Sequence, residues 1–163
     1  EHKETGVPGR GTEEMKTNEV TGRFKRGSWG IAVEVGRPGV GARLRDLELI
    51  AVALAEKGIV FEPRNPVTFL FEDVKTGRLK PELRNEKVLS AIIEFEVKPD
   101  QFRGVLQTLK DVSGKVESVF SVDLISFPEE VEKSPALEIA KQMGFPIYPN
   151  GKLNLGLGRV LNK

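Results

Sequence analysis

Cysteine is absent from the chain. That removes disulfides, thiolate metal sites and a cysteine nucleophile at once. Histidine occurs once, as His2, far from any segment that reads as folded core. General acid–base catalysis near neutral pH most often uses histidine, and a nucleophilic triad needs a base beside its nucleophile. No catalytic residue is therefore assigned, and an enzyme is the less favoured class. No carboxylate cluster has the spacing of a metal site, so no metal and no cofactor are expected. There is no apolar run of the roughly 18 residues that a spanning helix needs. An excess of either charge is missing too. With 25 basic and 24 acidic residues the formal net charge is +1, which argues against a general nucleic-acid binder.

What is present suits a folded domain. Of 163 residues, 39% are hydrophobic and 30% charged, a balance that supports a buried core without staples. The chain opens on Glu1 rather than Met, so either a front segment has been removed or this is an excised piece. Cytoplasmic and extracytoplasmic settings both stay open.

Three parts are expected. Residues 1–26, punctuated by Gly6, Gly9, Gly11 and Gly22, show no periodicity and read as a flexible or partner-wrapping extension. Residues 27–127 read as the main domain. Trp29–Val35 is a first strand. A helix over 42–57 follows, with Leu44, Leu47, Ala51 and Leu54 at three- and four-residue spacing and Gly58 placed to end it. Short strands are expected at 59–62, bent by Pro63 and Pro66, and at 67–72 with Val67, Phe69 and Phe71 on one face. Val88–Val97 alternates, with Leu89, Ala91, Ile93, Phe95 and Val97 inward and Glu94 and Glu96 outward and solvated. Pro99 opens a second helix whose stripe is Phe102, Val105, Leu106, Leu109 and Val112, and a long strand over 115–127 closes the unit. Residues 128–163 form an accessory part. Ser134 caps a third helix, and Asn150-Gly151 marks a hairpin. The order strand, helix, strand, strand, helix, strand predicts an α+β, ferredoxin-like (βαββαβ) antiparallel sheet with two helices on one face.

Residues 89–127, from the apolar strand through Phe102, Val105, Leu106 and Leu109 to the return strand, resemble the ferredoxin-like periplasmic domains of type IV pilus and type II secretion inner-membrane proteins. They equally resemble ACT-like regulatory domains. The first resemblance implies a non-enzymatic subunit that self-associates. The second implies a module holding small ligands between paired sheets. Neither brings a chemical motif, so no residue role is carried over.

Several candidate surfaces follow from the residues themselves. The strand-to-helix loop Gly36–Gly41 is rich in glycine and lies near arginines. Arg37, Gly39, Gly41 and Arg43 are its candidate anion-binding residues, since helix N-termini offer free N–H groups to anions. A plain tight turn is the simpler reading. Arg23, Phe24, Lys25, Arg26 and Trp29 combine charge with aromatics, as single-stranded nucleic-acid sites do; a charged extension with one aromatic in the core explains them as well. The tail is unusually apolar. Phe145, Ile147, Tyr148, Leu153, Leu155 and Leu157 either cover the domain or meet a partner. The expected function is a non-catalytic assembly or protein-interaction domain that associates with itself or with other proteins. The alternatives are a small-ligand regulatory module and, third, an RNA-binding domain.

Overall fold

A computed structural model of the chain describes residues 25–36, 41–126 and 134–147. Its centre is strand β1 (Trp29–Val35), every residue of which is buried. Strands β6 (Ala91–Val97) and β7 (Phe120–Ile125) flank it, both antiparallel to it, so the sheet runs β6-β1-β7. Between β1 and β6 the chain makes β2 (Ala42–Arg43), helix α1 (Leu44–Ala55), a 3-10 helix (Pro66–Leu70), the hairpin β3 (Phe71–Asp73) and β4 (Arg78–Leu79), a second 3-10 turn (Pro81–Leu83) and β5 (Lys87–Val88). Helix α2 (Pro99–Ser113) joins β6 to β7, and α3 (Pro135–Gln142) follows. No helix among the described residues is long and apolar enough to cross a membrane.

The helical stripes read from spacing are the ones buried. α1 buries Leu44, Leu47, Ile50, Ala51 and Leu54, and α2 buries Phe102, Val105, Leu106, Leu109 and Val112. They join Ile31, Val33, Val35, Ile93, Phe95 and Val97 in one core. Trp29 and Phe102 meet edge to face with ring centroids 5.1 Å apart, a favoured aromatic geometry. Pro99 occupies the first turn of α2, where a missing amide costs nothing. The Gln101 side chain turns back to accept the Lys98 N–H at 3.2 Å. Ser134 Oγ accepts the Leu137 N–H at the start of α3, the role its position predicts.

The region between α1 and β6 departs from expectation. The strand expected at 59–62 is reduced to one bridge, Phe61 opposite Phe95, with the Glu62 N–H donating to the Glu94 carbonyl at 2.8 Å. Pro63 and Pro66 cannot donate to a ladder, and Asn65 Oδ1 instead accepts the Val67 N–H at 2.8 Å and starts the 3-10 helix. The strand expected over 67–72 is thus mostly that helix. Its last part, β3, pairs with β4 and not with the main sheet, and Phe69 is left exposed. The main sheet has three strands among the described residues. The expected long return strand is confined to β7, and the expected strand over 88–97 is broken at Leu89–Ser90. The hairpin expected around Asn150-Gly151 lies outside the described residues.

The sheet face away from the helices also differs from its reading. In-register pairing places Glu34 beside Ile92 and Ser121, and Ala32 beside Glu94 and Asp123. Glu96 is exposed, as expected of this face. Glu94 is only 1% exposed, and its Oε2 accepts from Asn65 Nδ2 at 2.7 Å. The expectation that Glu94 is solvated is overturned. The 3-10 segment brings an amide donor over it, and a buried carboxylate needs such a donor.

Candidate functional site

The site begins where β1 ends. Gly36 has φ +87°, and a Cβ there would lie 2.8 Å from the Leu89 carbonyl oxygen and 3.0 Å from the carbonyl carbon of Gly41. Only glycine fits so tight a place with that backbone. Its N–H donates to the Val119 carbonyl at 3.0 Å, and its own carbonyl accepts from the Gly41 N–H at 2.9 Å. Gly36 is therefore held between the segment leading into β6 and the segment leading into β7. The side chains at those two points face water: Leu89 is 85% exposed and Val119 49%.

Beside them is an open depression of about 370 Å³, whose lining includes Gly41, Arg43, Asp46, Lys87, Leu89 and Glu117. Several of its polar side chains are internally tied. Asp46 is buried and its Oδ1 accepts the Glu117 N–H at 3.1 Å. Glu117 forms an ion pair with Arg45. Arg43 Nη1 donates to the Asn85 carbonyl at 3.0 Å, and Ser118 Oγ donates to the Gly41 carbonyl at 3.0 Å. The small ladder of β2 with β5 sets Arg43 opposite Lys87.

The residues expected to bind an anion are divided by this geometry. Gly41 and Arg43 line the depression; Arg37 and Gly39 lie outside the described residues. The amides that begin α1 are largely committed. Leu44 N–H donates to the Glu86 carbonyl at 3.0 Å and Arg45 N–H to the Arg84 carbonyl at 2.9 Å. A helix N-terminus attracts anions through free N–H groups, and here two of those groups are taken by backbone carbonyls, while Asp46 places a carboxylate in the first turn.

The basic and aromatic stretch is divided as well. Arg23 and Phe24 lie outside the described residues, Lys25 and Arg26 are exposed, and Trp29 is a core residue, 4% exposed. Its indole is not presented to a base. Of the apolar tail, Tyr148, Leu153, Leu155 and Leu157 lie outside the described residues. Phe145 packs on the fringe of the core with Lys110 Nζ 5.0 Å from its ring centroid. Ile147 stands at the surface.

Leu89 departs from the alternating pattern that contains it. The alternation of β6 continues through it and puts it inward. The break at Leu89–Ser90, where the chain bends past Gly36, turns it out. Only the tertiary position of the glycine turn decides this. Among the described residues no group of three or more His, Cys, Asp or Glu has the arrangement of a metal site. Compared with known proteins, the chain matches no family model, and no curated protein or solved structure is significantly similar to it.

Proposed function

We propose that this domain is a non-catalytic interaction module that engages protein partners at the end of the sheet where Leu89 and Val119 flank Gly36. One observation carries the reading: Leu89 is 85% exposed where its backbone packs closely on Gly36, beside a depression lined by charged residues. An aliphatic anchor within a polar rim is how protein contacts are built. Covering a leucine removes apolar surface worth about 1.5–3 kcal/mol.

The same reading takes the domain as a variant ferredoxin-like unit. In support, the order β6-β1-β7 with α1 and α2 in one core is what such a unit keeps when its second strand contracts to the Phe61 bridge. The small-anion alternative has less support, because its donors at the start of α1 are committed to carbonyls. RNA binding through the Arg23–Trp29 stretch has less too, because Trp29 is in the core.

Leu89→Glu is expected to leave stability within about 0.5 kcal/mol of the parent, since surface changes seldom do more, and to weaken the partner complex at least about tenfold. A photo-reactive residue at position 89, used in the native host, should crosslink to one discrete protein species, and an excess of the parent protein, but not of Leu89→Glu, should compete that crosslink away. The same residue at Lys75 should not. No species above that background contradicts the reading. Thermal stabilisation by inorganic phosphate that is lost in Arg43→Ala would favour the anion site instead.

A further inference from the structure

At the opposite end of β6 from Leu89 lies a second depression, of about 350 Å³, at the lower end of the range that small-molecule sites occupy. Every residue lining it is a described one, and Val60, Pro63, Glu96, Lys98 and Gln101 in that lining are exposed, so its mouth faces solvent. Three segments build it. Gly58, at φ +76°, turns the chain out of α1. The segment after it is held to β6 at the Phe61 bridge. Lys98 and Gln101 belong to the start of α2. Ile59, Val60 and Pro63 give the depression an apolar wall.

Two polar groups of the lining are buried with acceptor capacity to spare. Glu62 is 8% exposed. Its carboxylate accepts the Arg64 N–H at 3.0 Å, and no lysine or arginine among the described residues pairs with it. A carboxylate taken out of water is ordinarily paired with a cation. Ser28 is 9% exposed. Its N–H donates to the Lys25 carbonyl at 3.1 Å, while its hydroxyl has no hydrogen-bond partner among the described residues. Buried hydroxyls are ordinarily bonded. A second carboxylate of the lining, Glu96, accepts the Lys25 N–H at 3.4 Å and forms no ion pair among the described residues. The helix ends agree in sign. α1 has no basic residue in its last turn, so its partly negative C-terminus next to Gly58 is not offset there. The positive start of α2 already has Asp100 in its first turn and the Gln101 side chain on the Lys98 N–H.

We propose that this depression binds a small primary alkylammonium, a free amine on a short apolar chain. The three N–H donors of an ammonium match the acceptors Glu62, Glu96 and Ser28 Oγ, and the chain lies along Ile59, Val60 and Pro63. An anion is disfavoured, because two carboxylates face the single cation Lys98. A divalent metal is disfavoured too, because no group of three or more acidic or histidine ligands is present among the described residues. The site is separate from the Leu89 surface and does not depend on it. Its open mouth sets a dissociation constant on the order of 1 mM, so the amine exchanges freely and is not carried through purification.

Amide-resolved NMR in an amine-free buffer tests this with n-butylammonium as the probe. The amides of Ser28, Val60, Glu62 and Gln101 should shift and saturate, while n-butyrate and n-butanol at the same concentrations leave them in place. Glu62→Gln keeps the size of the side chain and its acceptor for the Arg64 N–H, and should weaken binding at least about tenfold. Lys98→Ala removes a like charge and should tighten binding about threefold. If Glu62→Gln does not fold, Lys98→Ala and Ser28→Ala carry the test, the latter with an expected loss of about fivefold. No response to n-butylammonium overturns the proposal, as does an equal response to n-butanol or an unchanged affinity in folded Glu62→Gln. Butyrate binding that Lys98→Ala abolishes would make this an anion site and overturn it equally. The position-89 crosslink is read independently and reports on the interaction surface alone.

Discussion

Replacing Gly77 with alanine is expected to cost roughly 3 kcal/mol of folding stability, from backbone strain and overpacking together. Gly77 sits in the turn between β3 and β4 at φ +70°, and a Cβ there would lie 2.6 Å from the carbonyl carbon of Ala51 and 2.8 Å from the amide nitrogen of Val52. These are backbone atoms of α1, so no side chain can swing aside. Next to this contact, Glu48 on α1 accepts the Leu79 N–H at 3.0 Å and two donors of Arg84 at 2.9 and 3.1 Å. The hairpin is thereby clamped onto α1 by a close approach and by a largely buried carboxylate. The chain leaving that clamp becomes β5 and then Leu89, so the clamp also fixes the proposed contact surface. Two other glycines separate the contributions. Gly58→Ala, at φ +76° with nothing within 4 Å, should lose only the conformational part, about 1–2 kcal/mol. Gly104→Ala, inside α2 with nothing within 4 Å, should gain about 0.5–1 kcal/mol. Urea unfolding of the three variants checks the series. Equal losses for Gly77 and Gly58 would mean that the hairpin does not rest on α1.

Phe95→Ala is expected to cost about 3–5 kcal/mol, the range for emptying a buried aromatic site. Phe95 is fully buried in β6, opposite Ile31 on the central strand and Phe61 on the contracted one. Phe61 in turn stacks near Phe71, with centroids 5.2 Å apart. The substitution therefore loosens the sheet and the 59–71 excursion together. Hydrogen exchange should report this as faster exchange at the Glu62 amide, which bonds the Glu94 carbonyl, relative to amides within β1. A loss below about 1 kcal/mol, typical of a surface site, would contradict the placement of this side chain at the centre of the core.

The helices were legible because their evidence is local. Leu44, Leu47, Ala51 and Leu54 recur at helical spacing, Gly58 ends α1, and Pro99 and Ser134 mark the starts of α2 and α3. The alternation Ala91, Ile93, Phe95, Val97 likewise named the inward face of β6. What failed was everything decided by a covering element. Alternation says which side chains share a face but not what lies on it, so it marks Glu94 as solvated, whereas Asn65 lies over it. Val67, Phe69 and Phe71 alternate as a strand would. The prolines at 63 and 66 and the Asn65 cap draw the chain into a 3-10 helix instead. For the site, the glycine turn was legible from composition and its neighbours were not. Gly41 and Arg43 line the depression beside that turn, and Leu89 stands exposed next to them because its orientation depends on how Gly36 fits between two other segments.

Native mass spectrometry of protein purified without added ligand tests the central claim most directly, because it reports subunit number and retained small molecules together. With self-association as its simplest form, the interaction reading predicts an oligomer of at least twice the 18.0 kDa chain mass with no additional mass. A monomer carrying a reproducible small adduct would contradict it and return the anion site near Gly41 and Arg43 to first place.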